Sequence, residues 1–78
     1  MNITIYSRQG CAPCNSLKQF LNKKNVPFIT RDVDEPDAAA EAYAYTGLST
    51  VPVTVIEREG ERKVISGLNL SQLLPAIS

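Results

Sequence analysis

Ile3 and Ile5 alternate with Asn2 and Thr4 and lead to Tyr6. That period of two predicts a strand over residues 2–6. Ser7 to Gly10 is a polar loop, after which the period changes. Cys14, Leu17, Phe20 and Leu21 recur at helical spacing, while Lys18, Lys23 and Lys24 fall on the other side. A helix is predicted from Ala12 or Pro13, because proline in a first turn lacks only an N–H that would go unbonded there. The late lysines suit the negative pole of the helix dipole. Asn25 suits the C-terminal end, and Pro27 forbids continuation.

Residues 28–33 predict a second strand. Asp34 or Glu35, followed by Pro36 and Asp37, reads as a helix start. Ala38 to Tyr45 continues that helix with small, strongly helical residues, and Gly47 stops it. Tyr43 and Tyr45 are expected to help cover the sheet. Residues 51–56 are β-branched and predict a third strand, with Pro52 at its start because proline cannot donate to a ladder. Glu57 to Glu61 reads as a solvated hairpin turn around Gly60, and Arg62 to Ser66 as the fourth strand, broken by Gly67. Asn69 with Gln72 three residues on resembles a capping box opening a last helix through Leu73, Leu74 and Ile77. Pro75 lies beyond the first turn, where it should disturb the backbone bonds. The order is β-α-β-α-β-β-α. It begins with a parallel, right-handed βαβ unit and ends with a hairpin and a helix, giving an α/β domain with helices on both faces of a four-stranded sheet.

Composition narrows the function classes. The 78 residues suffice for one domain, residues 1–78. Hydrophobic residues at 44% argue against disorder. Eight basic residues balance eight acidic ones, without the basic excess expected of a nucleic-acid binder. No apolar run is long enough to span a membrane, and the N-terminus lacks the pattern of a signal peptide, so a cytoplasmic location is expected.

The two cysteines, Cys11 and Cys14, are the chemical signal. A bridge across so short a loop is a poor structural staple. Two cysteines and no histidine cannot close a four-ligand zinc site within one chain. A dimer sharing two such pairs could carry zinc or an iron–sulfur cluster, and that is the alternative reading. The pair stands where strand one meets helix one, as redox pairs do. A helix N-terminus favours an anion, and the thiolate is the reactive form of cysteine. Cys11, the upstream residue, is therefore expected to be the exposed nucleophile, with Arg8 adding nearby positive charge. Cys14, one turn later on the same face, is expected to attack the resulting mixed disulfide and release the reduced substrate.

Tyr6-Ser7-Arg8-Gln9-Gly10-Cys11-Ala12-Pro13-Cys14 resembles the active-site stretch of glutaredoxins and NrdH-type redoxins, members of the thioredoxin-fold superfamily. The resemblance extends to Thr50-Val51-Pro52 before strand three, to Ser66-Gly67 before the last helix, and to the element order. It implies a thioredoxin fold with a mixed four-stranded sheet and three helices.

The resemblance also implies a substrate groove. Pro52 matches the family's cis-proline facing the cysteines, which would leave the Val51 backbone free to pair with a bound peptide or glutathione. Read without the resemblance, Pro52 only starts an edge strand. Thr50 is a polar lip of the groove or a plain loop residue. Ser66-Gly67-Leu68-Asn69 matches the flanking loop. It keeps the Ser-Gly of NrdH-type redoxins but has Leu68 for their aromatic residue and Asn69 for their basic one. Asn69 is a helix cap that could also touch a ligand carboxylate. Arg8 could grip a glutathione carboxylate, or be a surface arginine. Tyr6 could line the groove or belong to the core. Ala12-Pro13 departs from both families' usual pairs, and proline before the second cysteine goes with a more reducing dithiol.

The expected function is thus a small dithiol–disulfide oxidoreductase without a tightly bound cofactor and without a metal. Its electrons would come from glutathione, or from NADPH through thioredoxin reductase. Its substrates would be protein disulfides, with ribonucleotide reductase a candidate, and the chain is expected to be a monomer.

Overall fold

A computed structural model describes residues 1–77; the domain read from the sequence ends on Ser78, which lies outside the described residues. The elements follow the expected order: β1 (Asn2–Ser7), α1 (Ala12–Lys23), β2 (Ile29–Asp32), α2 (Pro36–Thr46), β3 (Val53–Arg58), β4 (Glu61–Ser66) and α3 (Leu70–Ile77). The sheet runs β2-β1-β3-β4. β1 and β2 are parallel, and β3 lies antiparallel to both β1 and β4.

Strand alternation divides the core between the two faces of the sheet. Ile3, Ile5, Ile56 and Ile65 point to one face and meet Leu17 and Leu21 of α1 and Leu73 of α3. Tyr6, Val53 and Val55 point to the other and meet Ala38 and Ala42 of α2. The small residues of α2 let it approach the sheet, as its composition predicts. Each fully buried Ile or Leu contributes about 1.5–3 kcal/mol relative to exposure, so these two clusters hold the layers together.

Local signals set the helix ends. α1 closes with Asn25 at φ 57° and the Val26 amide bonded to the Leu21 carbonyl at 3.0 Å, a Schellman-type stop. α2 has Pro36 in its first turn and ends on Gly47 at φ 70°, whose amide bonds the Tyr43 carbonyl at 2.6 Å.

Several expectations need correction. The third strand begins at Val53 rather than Val51 and runs on to Arg58. The turn shrinks from Glu57–Glu61 to Glu59 and Gly60, with φ of 52° and 81°. That two-residue turn matches strand twist, so pairing continues through Glu57↔Arg62 and Arg58↔Glu61. β2 is shorter than residues 28–33, and Phe28 packs against the α1 side of the core. α3 continues through Pro75 to Ile77. Tyr43 is 60% exposed and lies outside the core, whereas Tyr45 packs on the α2 face of the core.

Candidate active site

The strand pairing brings three chain segments to one edge of the sheet. Tyr6 pairs with Val53, and Val53 pairs with Ser66. The exit of β1, the entry of β3 and the exit of β4 are therefore neighbours, and the sequence's three site motifs hang from them.

The first segment holds the cysteines. Gly10 takes φ 76°, and the Cys11 amide bonds back to the Arg8 carbonyl at 3.3 Å, turning the chain from β1 into α1. Cys11 is the extended N-cap of α1, and its Sγ accepts the Cys14 amide at 3.2 Å. The helix thus offers a backbone donor to the Cys11 sulfur, the place where a thiolate gains most from the N-terminal dipole. Cys11 is half-buried, whereas Cys14 is 0% exposed on the core stripe with Leu17 and Leu21. The two are joined by a disulfide, with Cα atoms 5.2 Å apart. Ala12 and Pro13 between them are exposed.

The second segment carries a cis peptide bond between Val51 and Pro52. Pro52 is buried, Val51 half-buried and Thr50 exposed. The third segment is tied to it: the Gly67 amide donates to the Pro52 carbonyl at 2.8 Å. Ser66 and Leu68 are exposed, and Gly67 and Asn69 half-buried. The Asn69 carbonyl accepts the Leu73 amide at 3.1 Å and the Gln72 amide at 3.3 Å, opening α3. The Asn69 side-chain oxygen takes the Ser71 hydroxyl at 2.8 Å.

Two of the sequence's candidates have side-chain partners elsewhere in the fold. Arg8 pairs with Asp34, Nε to Oδ1 at 3.4 Å, both side chains exposed. It also lines a cavity of about 350 Å³ with Val51, Thr50, Leu48, Tyr43 and Val33, between α2 and the segment before β3. Tyr6 lies in the core rather than in the groove. It is 3% exposed, packs on Tyr45 with ring centroids 6.2 Å apart, and donates its hydroxyl to Glu41 Oε1 at 2.9 Å. The same oxygen accepts from Arg31 at 3.0 Å. Burial, and then the Glu41 carboxylate, push the Tyr6 phenol up from 10.0 to about 12. One buried polar group near the site was not singled out from the sequence. Thr54 is 0% exposed, and its hydroxyl has no hydrogen-bond partner among the described residues.

The Glutaredoxin family model matches residues 3–60. The chain belongs to the glutaredoxin family. A glutaredoxin-like protein NrdH of Escherichia coli is 34% identical over 55 residues, covering 70% of this chain and 68% of that protein. An N-acetyl-S-hydroxy-L-cysteine reductase of Bacillus subtilis is 31% identical over 74 residues, covering 94% of this chain and 80% of that enzyme. The solved NrdH-redoxin of Escherichia coli superposes with a TM-score of 0.77 at 29% identity, covering 96% of this chain and 93% of that one. The fold of this glutaredoxin is accordingly the thioredoxin fold, and its activity is thiol–disulfide oxidoreduction. Among the described residues no helix is long and apolar enough to cross a membrane.

Proposed function

We propose that this glutaredoxin reduces protein disulfides with electrons from a flavoprotein thioredoxin reductase rather than from glutathione. The observation that carries the reading is the make-up of the loop before α3. A glutathione site needs polar or charged partners there for a free amino-acid end. Here the loop offers exposed Leu68, and an Asn69 whose side-chain oxygen already accepts the Ser71 hydroxyl. Arg8, the candidate partner for the other carboxylate, is paired with Asp34. Around the cysteines, Ala12, Pro13, Val51 and Leu68 form an apolar collar suited to a protein surface. The NrdH-redoxin it resembles is described as having a thioredoxin-like activity profile. Ribonucleotide reductase is a candidate substrate on the family resemblance.

The cycle uses the asymmetry of the pair. The Cys11 thiolate attacks a substrate disulfide, forms a mixed disulfide and expels one substrate thiolate. Cys14 then attacks Cys11 Sγ and expels the second, leaving the Cys11–Cys14 bond. Two electrons have passed from the dithiol to the substrate, and the reductase restores them. The Val51 backbone, beyond the last β1–β3 pair, would hold the substrate chain as an added strand.

A smaller substrate is the second reading, favoured by the apolar cavity with Arg8 in its wall. An N-acylated cysteine derivative, of the kind named for the Bacillus subtilis relative, would place its acyl group there, with its carboxylate displacing Asp34 from Arg8.

The deciding experiment is NADPH consumption under two couplings, one with thioredoxin reductase, the other with glutathione and glutathione reductase. Turnover with the first alone is expected. Turnover with the second alone overturns the reading and makes Arg8 and Asn69 ligand contacts. Silence in both, with zinc or a coloured cluster in the purified protein, returns the cysteines to the metal-carrier alternative.

A further inference from the structure

We propose that the buried hydroxyl of Thr54 is a hydrogen-bond donor to the Cys14 sulfur in the reduced protein, and that it serves the resolving step. The inference rests on the dithiol cycle given above.

Thr54 pairs with Ile5 on β1 and with Ile65 on β4, and its side chain points to the face covered by α1 and α3. It lies one residue inside the last β1–β3 pair, Tyr6↔Val53, and so at the site end of that face. Only residues 8–11 separate β1 from α1, so the first turn of α1 stands over the same end. The core stripe of α1 reads Cys14, Leu17, Leu21, and Cys14 is its member nearest the site. Cys14 and Thr54 are both 0% exposed. The buried apolar side chains on that face of the sheet include Ile5, Ile65, Leu17 and Leu73. Ser7 and Thr54 are the buried polar residues among those described, and none of the buried ones is charged. The ionisable group adjoining Cys14 is therefore Cys11, its disulfide partner.

A buried hydroxyl without a partner is destabilising, because it gives up its bonds to water and gains none. The structure holds the oxidised form, in which the Cys14 sulfur is bonded to Cys11 and carries no charge. The resolving step is different. Cys14 must become a thiolate inside an apolar core, where desolvation disfavours the charge. The Thr54 O–H is a donor without a partner among the described residues, at the same end of that face as Cys14. Its hydrogen bond stabilises the thiolate as it attacks Cys11 Sγ. The Cys11–Cys14 bond forms, the Cys11–substrate bond breaks, and the substrate sulfur leaves with the electron pair and takes a proton from solvent. The unpaired hydroxyl of the oxidised state is the partner of a group that exists only during turnover.

The test is stopped-flow reduction of dithiobis-nitrobenzoate by the reduced full chain, across pH. The first thionitrobenzoate is released by Cys11 and the second by Cys14. In Thr54→Val the first release should be unchanged, and the second slowed on the order of tenfold near neutral pH, with its pH midpoint displaced upward. Thr54→Ser should restore both. Thr54→Ala should reproduce the slow second phase. Thermal unfolding of oxidised Thr54→Val should match the native chain or exceed it, because the orphaned hydroxyl is gone. A second release that is unchanged in Thr54→Val and Thr54→Ala, or both releases slowed alike, overturns the role of Thr54. A native chain that gives no first release overturns the dithiol cycle itself, so the two failures are separable.

Discussion

The Gly67 amide donates to the Pro52 carbonyl at 2.8 Å, joining the loop before α3 to the cis-proline that precedes β3. Two walls of the proposed groove are therefore fixed to each other as well as to the sheet. Gly67 makes the bond with φ 73°, a conformation that side chains resist, although a Cβ there would meet no heavy atom within 4 Å. Gly67→Ala should cost about 1–2 kcal/mol through backbone conformation alone. Calorimetry should show that loss as a lower unfolding temperature. Disulfide turnover should fall as well, because the strain is relieved by moving the loop. Unaltered turnover beside lowered stability would show that the loop is not part of the groove.

The unequal burial of the two cysteines supports the proposed roles, Cys11 as nucleophile and Cys14 as resolving thiol. Cys14→Ser should react with a substrate disulfide and stop at the mixed disulfide, visible as an adduct by intact-mass analysis. Cys11→Ser should form none at the same pH, since Cys14 is 0% exposed. Adducts on both variants at similar rates would reverse the assignment of nucleophile.

Tyr6 gives a pH signature. Its folded-state value of about 12 lies above the unfolded 10.0. The folded chain therefore holds the phenolic proton more tightly, and the stability this gives is whole below pH 10 and lost as pH rises towards 12. Tyr6→Phe keeps the ring and removes the titration. Denaturant unfolding of the oxidised protein should show the native chain losing roughly 2 kcal/mol more than Tyr6→Phe between these limits. Parallel curves would mean that the Glu41 contact does not persist in solution.

Leu17 tests the core beneath the site. It is 1% exposed between Cys14 and Leu21 on the α1 stripe. Leu17→Ala should cost about 2–5 kcal/mol, read by urea unfolding. In contrast, Glu57→Gln, which breaks the exposed ion pair with Arg62, should change stability by less than about 1 kcal/mol.

The parts of the site readable from sequence are those set by neighbours along the chain. Gly10, Cys11, Pro13 and Cys14 announce a tight turn into a helix, and the turn is there. Asn25 and Gly47 end their helices as backbone preferences require. What escaped depends on distant partners. Tyr6 could be groove or core until Glu41, 35 residues on, took its hydroxyl. Thr54 sits in a β-branched run where a threonine reads like another valine, and only the register shows its hydroxyl facing the α1 side. The Arg8–Asp34 pair joins two loops and is likewise invisible in the local pattern. One miss was avoidable: Ala38, Ala42 and Tyr45 form an i, i+4, i+7 stripe, which leaves Tyr43 on the wet side of α2.

The antiparallel pairing of β1 with β3 sets where the two walls of the proposed cleft are rooted. The cysteine turn leaves one strand and Pro52 enters the next, so their roots stand one lateral strand spacing apart, about 4.8 Å. A slip of one residue in that ladder would do more than shift Pro52 along the rim. It would turn Ile56 out of its oily layer and Val55 into it, inverting the strand from end to end. The isoleucines and valines far from the sulfur chemistry are therefore its jig: they keep the aperture true by making every other alignment greasy on the wrong side.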